Sequence, residues 1–278
     1  MNQFGGNWTQ QKIEMVVAYA KAYLIIMNKY PQFKPLYFDG FAGSGDIYQD
    51  DKPDLDIIKG AAIRVLEIDQ PKHFDTYYFV EKDESNKLEL EKTIKANFPN
   101  RKTHVVAEDC NSKLTSMANY LQKNKEYRVL AFIDPYGMAV DWASIESLKS
   151  LGVDLWILVP TGMGINRLLK NDGKISDAWL ERLERFLGLT KETILKHFYK
   201  ETKRLTLFGE ETTITKEHNA IQKAGVLYRE RLNTVFKFVS ESFVMKNSTN
   251  SVMYHFMMAT NNAAALKIAN DVIKPKYK

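Results

Sequence analysis

Hydrophobic positions along the chain follow two spacings in turn. From Trp8 to about Lys29 apolar residues recur every three or four positions, which predicts an opening amphipathic helix. Beyond it, short apolar runs alternate with helical segments of about ten or more residues. The predicted strands are 36–41, 76–83, 104–109, 128–137 and 153–160, and the helices between them are 59–68, 84–97, 112–123 and 141–150. This rhythm predicts an α/β fold, a doubly wound Rossmann-like sheet that is mainly parallel.

The pattern changes after Pro160. Residues 161–235 predict helices rich in Lys and Arg, while 236–245 and 251–260 flank the polar tetrapeptide NSTN and predict a C-terminal antiparallel hairpin. A last helix is expected over 262–273. The predicted organisation is an α/β core (1–160 and 236–278) with a helical insertion (161–235) as a candidate substrate-recognition element.

Composition narrows the class of protein. The 278 residues are 45% apolar, enough for a substantial core, and the formal charge of +5 mildly favours an anionic partner. The single cysteine, Cys110, excludes an intramolecular disulfide, and the five histidines have no metal-ligand spacing, so no metal is expected. No export signal or membrane-spanning run is evident, so we expect a cytoplasmic protein without a membrane partner.

The first strand ends in YFDGFAGSGD, with glycines at 40, 43 and 45. A phosphate-binding P-loop would require Lys and Ser or Thr after Gly45, but Asp46 and Ile47 follow. The spacing GxxGxG is not the dinucleotide fingerprint, and GSG is not the nucleophile elbow of a serine hydrolase. A tight strand-to-helix turn without a ligand is the remaining structural alternative.

S-adenosyl-L-methionine suits this acidic, glycine-rich loop better than a phosphate ligand. It carries a cationic sulfonium, and its carboxylate can accept backbone N–H groups. Glu81 ends the second strand, where an acid typically binds ribose hydroxyls, and Asp109 ends the third strand, where it would accept the adenine amino group. An acid at a strand end is, taken alone, more often an ordinary exposed residue, but the three acids in this order favour a shared site.

The fourth strand ends in IDPYG, residues 133–137. This motif resembles the [D/N/S]PP[Y/F/W] motif of amino methyltransferases, which modify exocyclic amines of adenine or cytosine. Asp134 and the Pro135 carbonyl would hold the hydrogens of the amine, and Tyr136 would stack on the base. Tyr136 replaces the second proline of the motif, and Gly137 occupies the usual aromatic position.

The combination of YFDGFAGSG, YYFVEKD and FIDPYG, with Trp142 shortly after, resembles the three-Cys-motif partner protein (TcmP) family of class I methyltransferase-like proteins. The resemblance covers about residues 8–160 and the last hairpin and helix. It implies cofactor binding and an acceptor site at the positions that match the family. The implied cofactor residues are Asp39, Gly40, Phe41, Gly43, Gly45, Glu81 and Asp109; the implied acceptor residues are Asp134, Pro135 and Tyr136.

The sequence therefore predicts an S-adenosylmethionine-dependent methyltransferase acting on a nucleobase amine in DNA or RNA, with a protein partner encoded nearby as a further expectation. Two alternatives stay open. One is a methyltransferase for a small molecule or protein. The other is a non-catalytic module that keeps the fold to bind a partner within a defence or modification system.

Overall fold

The computed structural model describes residues 8–47, 58–171, 173–206 and 209–274. Its helices are α1 (Trp8–Met27), α2 (Ala61–Leu66), α3 (Glu84–Asn97), α4 (Cys110–Lys123), α5 (Trp142–Glu146), α6 (Asn166–Leu168), α7 (Asp177–Leu187), α8 (Lys191–Phe198), α9 (Ala220–Leu232) and α10 (Ala263–Ile273), with a π-helical turn at Thr161–Ile165. Its strands are β1 (Lys34–Asp39), β2 (Asp46–Ile47), β3 (Ile58–Lys59), β4 (Thr76–Val80), β5 (Thr103–Val106), β6 (Tyr127–Ile133), β7 (Val153–Val159), β8 (Tyr199–Thr206), β9 (Gly209–Lys216), β10 (Phe238–Val239), β11 (Phe243–Lys246) and β12 (Val252–Thr260).

Eight strands form the main sheet, in the order β10-β12-β7-β6-β1-β4-β5, with β11 also paired to β12. The five strands from β7 to β5 run parallel, and β12 lies antiparallel to β7. The chain leaves β1 toward β4 on one side and returns to β6 on the other, so the strand order reverses between β1 and β6. The predicted fold class, a doubly wound α/β sheet with a C-terminal antiparallel hairpin, is confirmed.

In the C-terminal hairpin, β12 pairs with two short strands, β10 and β11. The predicted first strand of the hairpin, 236–245, is thus divided in two at Ser240. There the Ser240 hydroxyl, instead of a backbone carbonyl, accepts the N–H of Met258 at 2.9 Å. The side chain thus interrupts the regular ladder and separates β10 from β11.

Alternate residues of the central strands enter two separate cores, as expected for a sheet covered on both faces. On β6, Ala131 and Ile133 belong to the core shared with α4, α5, α7, α8 and α9, while Leu130 and Phe132 belong to the core shared with α1, α2, α3 and α10. Helices therefore cover both faces and leave the carboxyl edge of the strands as the place where side chains after each strand converge.

The segment 161–235 is not purely helical as predicted. Helices α7, α8 and α9 form there, but β8 and β9 make a separate antiparallel ribbon in which Thr202 pairs with Thr213. Threonine fits a pleated strand well, and β9 contains three threonines, which accounts for the ribbon. Lys216 fixes the end of the ribbon, because its ammonium donates to the carbonyl of Leu169 at 2.8 Å.

An acidic stretch, 46–56, separates the glycine turn from α2 in the sequence. Residues 46–47 and 58–59 pair as β2 and β3, and residues 48–57 lie outside the described residues. Gly60 donates its N–H to the carbonyl oxygen of Gly45 at 2.7 Å, and a Cβ on Gly60 would lie 2.9 Å from that oxygen. Helix α2 therefore begins directly beside Gly45, although fourteen residues separate Gly45 from Gly60 in the sequence.

Neither a membrane-spanning helix nor a metal cluster is found in the described part of the chain. No helix there has both the length and the apolar character needed to cross a bilayer. No three His, Cys, Asp or Glu side chains in these ranges lie together as a group that could hold a metal ion.

Candidate functional site

Three of the predicted acids lie at the carboxyl edge of neighbouring strands. Asp39 ends β1, Glu81 follows β4 on one side of it, and Asp134 follows β6 on the other. The parallel register places Asp39 beside Phe132, two residues before Asp134. Asp39 and Asp134 thus flank the position where the strand order reverses, which is where ligands bind in open α/β sheets.

Asp39 is a buried carboxyl group, 1% exposed. Its Oδ1 accepts the backbone N–H of Phe41 at 3.1 Å, and its Oδ2 accepts the hydroxyl of Tyr37 at 3.3 Å. Burial is the main cause that raises the pKa of Asp39 to about 7; the Phe41 hydrogen bond opposes it, and the negative charge of Asp134 adds to it. Asp39 is therefore a carboxyl group that ionises near neutral pH.

Each of the three glycines of the loop is favoured for a different structural reason. A Cβ on Gly40 would lie 2.6 Å from the Cys110 sulfur, so Gly40 permits close packing beneath the loop. Gly45 adopts φ +92° and also packs closely, against Leu90 and Ile63. Gly43 has φ +63° with no atom within 4 Å of an added Cβ. Of the three, only Gly43 presents bare backbone toward open space.

Glu81 holds the glycine loop in place. Its Oε2 accepts the N–H of Gly43 at 2.9 Å, and its Oε1 accepts the N–H of Asp83 at 2.9 Å. The N–H of Ala42 donates to the Val80 carbonyl at 3.0 Å, which ties the same loop to the end of β4. Because a carboxylate has about four acceptor positions, Glu81 keeps capacity for further donors.

Asp134 is joined to a lysine that the sequence interpretation missed. Lys12, buried on the inner face of α1, forms an ion pair with Asp134 Oδ2. The side chain of Lys12 is 6% exposed and that of Asp134 is 26% exposed. The signal in the sequence was weak but present, since Lys12 lies four residues before Val16 on the buried face of α1.

The aromatic residue of the IDPYG loop projects outward. Pro135 is buried, whereas Tyr136 is 88% exposed. The pKa of the Tyr136 phenol is nevertheless raised, first by partial desolvation of the phenol group and then by the charges of Asp134 and Glu81. The ring surface is free for contact, and the phenol lies within electrostatic range of both carboxylates.

Two cations of α7 lie beside this loop. Gly137 has φ +65°, and an added Cβ there would lie 3.8 Å from the Arg182 guanidinium. Arg185 forms a bidentate pair with Asp141, with N–O distances of 2.9 and 2.7 Å. Arg182, by contrast, forms no ion pair with any carboxylate in the described ranges.

An aromatic pair, Trp8 and Tyr254, lies near Asp134. The rings of Trp8 and Tyr254 are 5.5 Å apart and inclined by 41°. Burial raises the pKa of Tyr254, and the charge of Asp134 raises it further, so the two residues are close. Trp8 and Lys12 are four residues apart and share one face of α1. The helix thus contributes both a ring and a cation to the surroundings of Asp134.

Asp109 has a different local role. It is exposed and caps α4, because its Oδ1 accepts the N–H groups of Asn111 at 2.9 Å and Ser112 at 3.3 Å. These bonds account for an acid at this position without a ligand. Its contact with adenine stays a prediction.

Comparisons with known proteins give low similarities. A scan against family models finds no match, and a search of curated proteins finds none either. Among solved structures, protein LPL1258 of Legionella pneumophila (family DUF519) has a TM-score of 0.45 at 16% identity, covering 93% of this chain and 99% of the other. Trm1 of Pyrococcus horikoshii, in complex with S-adenosyl-L-methionine, has a TM-score of 0.37 at 11% identity, covering 89% and 63%. An S-adenosylmethionine-dependent methyltransferase of Clostridium acetobutylicum has a TM-score of 0.37 at 10% identity, covering 88% and 92%.

Proposed function

We propose that this chain is an S-adenosylmethionine-dependent methyltransferase that acts on an exocyclic amine of a nucleobase in DNA or RNA. The observation that carries the proposal is the position of Asp39 and Asp134 on either side of the strand-order reversal, with the glycine loop between β1 and α2 fixed by Glu81. The cofactor supplies an electrophilic methyl group on a sulfonium cation.

The residues of the crevice suit a cationic nucleoside better than a polyphosphate. Asp39, Glu81 and Asp134 place carboxyl groups at the edge where the ligand would lie, and each ionised carboxylate there would repel a phosphate. Gly43 gives the ligand access to bare backbone. In this proposal Asp39, Gly40, Phe41, Gly43 and Gly45 hold the methionine part, and Glu81 uses its remaining acceptor positions for the ribose.

Asp134, Pro135 and Tyr136 form the acceptor site in this proposal. Asp134 and the Pro135 carbonyl accept the hydrogens of the amine, which directs the nitrogen lone pair toward the methyl group. The exposed ring of Tyr136 stacks on the base in this proposal, and the ring pair of Trp8 and Tyr254 lies near Asp134. Lys12 holds Asp134 in one orientation through their ion pair.

A nucleic-acid substrate is favoured by Arg182, an exposed cation beside the IDPYG loop. We further propose that residues 161–235, which include Arg182, are the substrate-recognition element. We also propose that the chain belongs to the three-Cys-motif partner family and acts with a protein partner encoded nearby. A methyltransferase for a small molecule or protein would need the same crevice without phosphate contacts.

One observation favours the non-catalytic alternative. The Lys12 ammonium already occupies an oxygen of Asp134, which an amine substrate would also use. A module that keeps the fold only for binding would tolerate this pair permanently.

Calorimetric titration with S-adenosylhomocysteine and S-adenosylmethionine is the first experiment. We expect both to bind the wild-type chain, and S-adenosylmethionine to gain relative affinity as the pH rises through about 7, where Asp39 ionises. Asp39→Asn should abolish that gain. No heat with either ligand at high protein concentration would contradict the cofactor assignment.

Transfer of a radiolabelled methyl group tests the acceptor. The protein is incubated with separate pools of DNA, RNA, protein and metabolites, beside Asp134→Asn and a surface control, Lys92→Gln. We expect label in DNA or RNA, lost with Asp134→Asn and kept in the control. Label confined to metabolites or proteins would refute the nucleobase assignment, and cofactor binding without any transfer would support the non-catalytic module.

A further inference from the structure

A cavity of about 940 Å³ lies at the amino edge of the sheet, opposite the crevice. It is bordered by the start of β6 and β7, by the end of β12 and by the first residues of α10. Strands of seven residues separate the two edges by about 20 Å. A ligand in this cavity therefore cannot contact the crevice residues described above.

The cavity wall is strongly basic. Four cations line it, Lys125, Arg128, Lys149 and Lys237, and the three lysines are exposed. None of the four forms an ion pair with a carboxylate in the ranges that the structure covers. The acid in the lining is Asp154, a buried group that accepts hydrogen bonds from Tyr19 and Thr260. Unpaired cations around a concave surface favour an anionic ligand.

Arg128 is fixed in place before any ligand binds. Its Nη1 donates to the carbonyls of Lys125 at 2.7 Å and Tyr127 at 2.8 Å, and its guanidinium lies 3.8 Å from the centre of the Phe33 ring. Gly152 leaves room for it, since a Cβ there would lie 2.9 Å from the Arg128 side chain. A cation held in this way loses little conformational freedom when it contacts an anion.

A buried hydroxyl in the same wall has no partner. The Tyr23 oxygen is inaccessible to solvent and forms no hydrogen bond with the described residues, while its ring stacks on Phe74 at 5.7 Å. Asp154 and Arg128, which both line the cavity, act electrostatically on this hydroxyl. Because solvent does not reach this oxygen, it takes no part in the ligand contacts proposed below.

The cavity also offers an aromatic surface. Tyr30 is 47% exposed on the lining, with its ring 6.4 Å from that of Phe33. We propose that this cavity binds a nucleotide, with the phosphate on Arg128, Lys149 and Lys237 and the base on the aromatic lining. Its volume falls in the range of small-molecule sites, and both halves of a nucleotide find complementary groups.

The test is calorimetric titration with the four nucleoside monophosphates, the matching nucleosides, inorganic phosphate, and one oligonucleotide with and without a 5′-phosphate. We expect a monophosphate or the 5′-phosphorylated oligonucleotide to bind, and to bind more tightly than nucleoside or phosphate alone. Binding by the free nucleotide identifies a small-molecule source; binding by the phosphorylated oligonucleotide alone identifies a strand end. Absence of both at millimolar concentration would overturn the proposal.

Variants locate the binding. Lys149→Gln with Lys237→Gln should weaken it at least about tenfold, whereas Lys92→Gln with Lys95→Gln on α3 should not. Repeating the titration with saturating S-adenosylhomocysteine separates this site from the crevice. Displacement of the nucleotide by S-adenosylhomocysteine would refute the assignment, and so would an unchanged nucleotide affinity in the double lysine variant.

Discussion

At the scale of single residues, the candidate site depends on carboxyl groups in unlike surroundings. Asp39 is buried and its pKa is raised to about 7, Glu81 is committed to two backbone N–H groups, and Asp134 is paired with Lys12. Three acids that look equivalent in the sequence therefore have separate electrostatic states. This separation permits one to respond to a cofactor and another to an acceptor.

The raised pKa of Asp39 predicts a pH-dependent stability. Between about pH 4 and 7 the unfolded chain has lost the Asp39 proton while the folded chain keeps it. The unfolding free energy of the wild type should therefore fall with rising pH relative to Asp39→Asn, by up to about 1.4 kcal/mol per pH unit. Urea denaturation of both proteins across this range measures the difference. A difference that does not change with pH would contradict the buried, protonated state.

The pair of Lys12 and Asp134 predicts strong coupling. Lys12→Met should cost about 3 kcal/mol of unfolding free energy, because it leaves a partly buried carboxylate without its cation. Asp134→Asn should cost much less unfolding free energy in the Lys12→Met background than in the wild type. In the wild type it leaves the buried Lys12 ammonium unpaired, whereas in the variant it removes a carboxylate that has already lost its cation. A double-mutant cycle in urea gives the interaction energy, expected above about 1 kcal/mol. Additive losses would show that the two charges are independent.

At the scale of elements, the segment 161–235 is attached to the core through the end of α7. Gly188 caps this helix at φ +63° and donates its N–H to Glu184 at 2.7 Å. The Gly188 carbonyl accepts from Arg231 at 3.1 Å, and the Arg231 guanidinium lies 4.4 Å from the centre of the Trp142 ring. One turn thus joins α7, α9 and α5.

Gly188→Ala should therefore destabilise the fold by about 3 kcal/mol, combining left-handed backbone strain with overlap between the new Cβ and the Trp142 ring. Gly43→Ala is a matched control, because it has the same φ of +63° and open space around it; about 1 kcal/mol is expected there. Chemical denaturation compares the two. Equal losses would mean that the packing against Trp142 contributes nothing.

At the scale of the whole molecule, charge is divided between the two edges of the sheet. The carboxyl edge carries acids with Arg182 at its border, and the amino edge carries unpaired lysines. The formal charge of +5 does not reveal this division. Opposite edges of one sheet therefore offer sites for ligands of opposite charge.

The position of Arg182 predicts a specific salt dependence. If nucleic acid binds across the IDPYG loop, Arg182→Gln should reduce the slope of log K against log salt by about one unit, because one phosphate contact is lost. Fluorescence anisotropy with labelled oligonucleotides at several salt concentrations measures the slope. Lys95→Gln, on α3, is the control and should leave it unchanged. Equal slopes in all three proteins would place the nucleic acid elsewhere.

The sequence by itself determined the order of strands and helices in the core. Helix α3 spans the predicted residues 84–97, and β1, β4, β6 and β7 lie within two residues of their predicted starts, because burial on both faces gives such strands a continuous apolar run. It also placed Asp39, Glu81 and Asp134 at strand ends, and parallel strands bring such ends to one edge.

Only the tertiary structure decided the rest. Lys12 reaches Asp134 across 122 residues, and the Gly60 N–H bonds to the Gly45 carbonyl although fourteen residues separate the two glycines. The ribbon of β8 and β9 formed where charges suggested helix, and the basic cavity combines residues from both ends of the chain. The physical reason is common to all four: periodicity reports which face of an element is buried, but contacts between distant segments depend on packing in three dimensions.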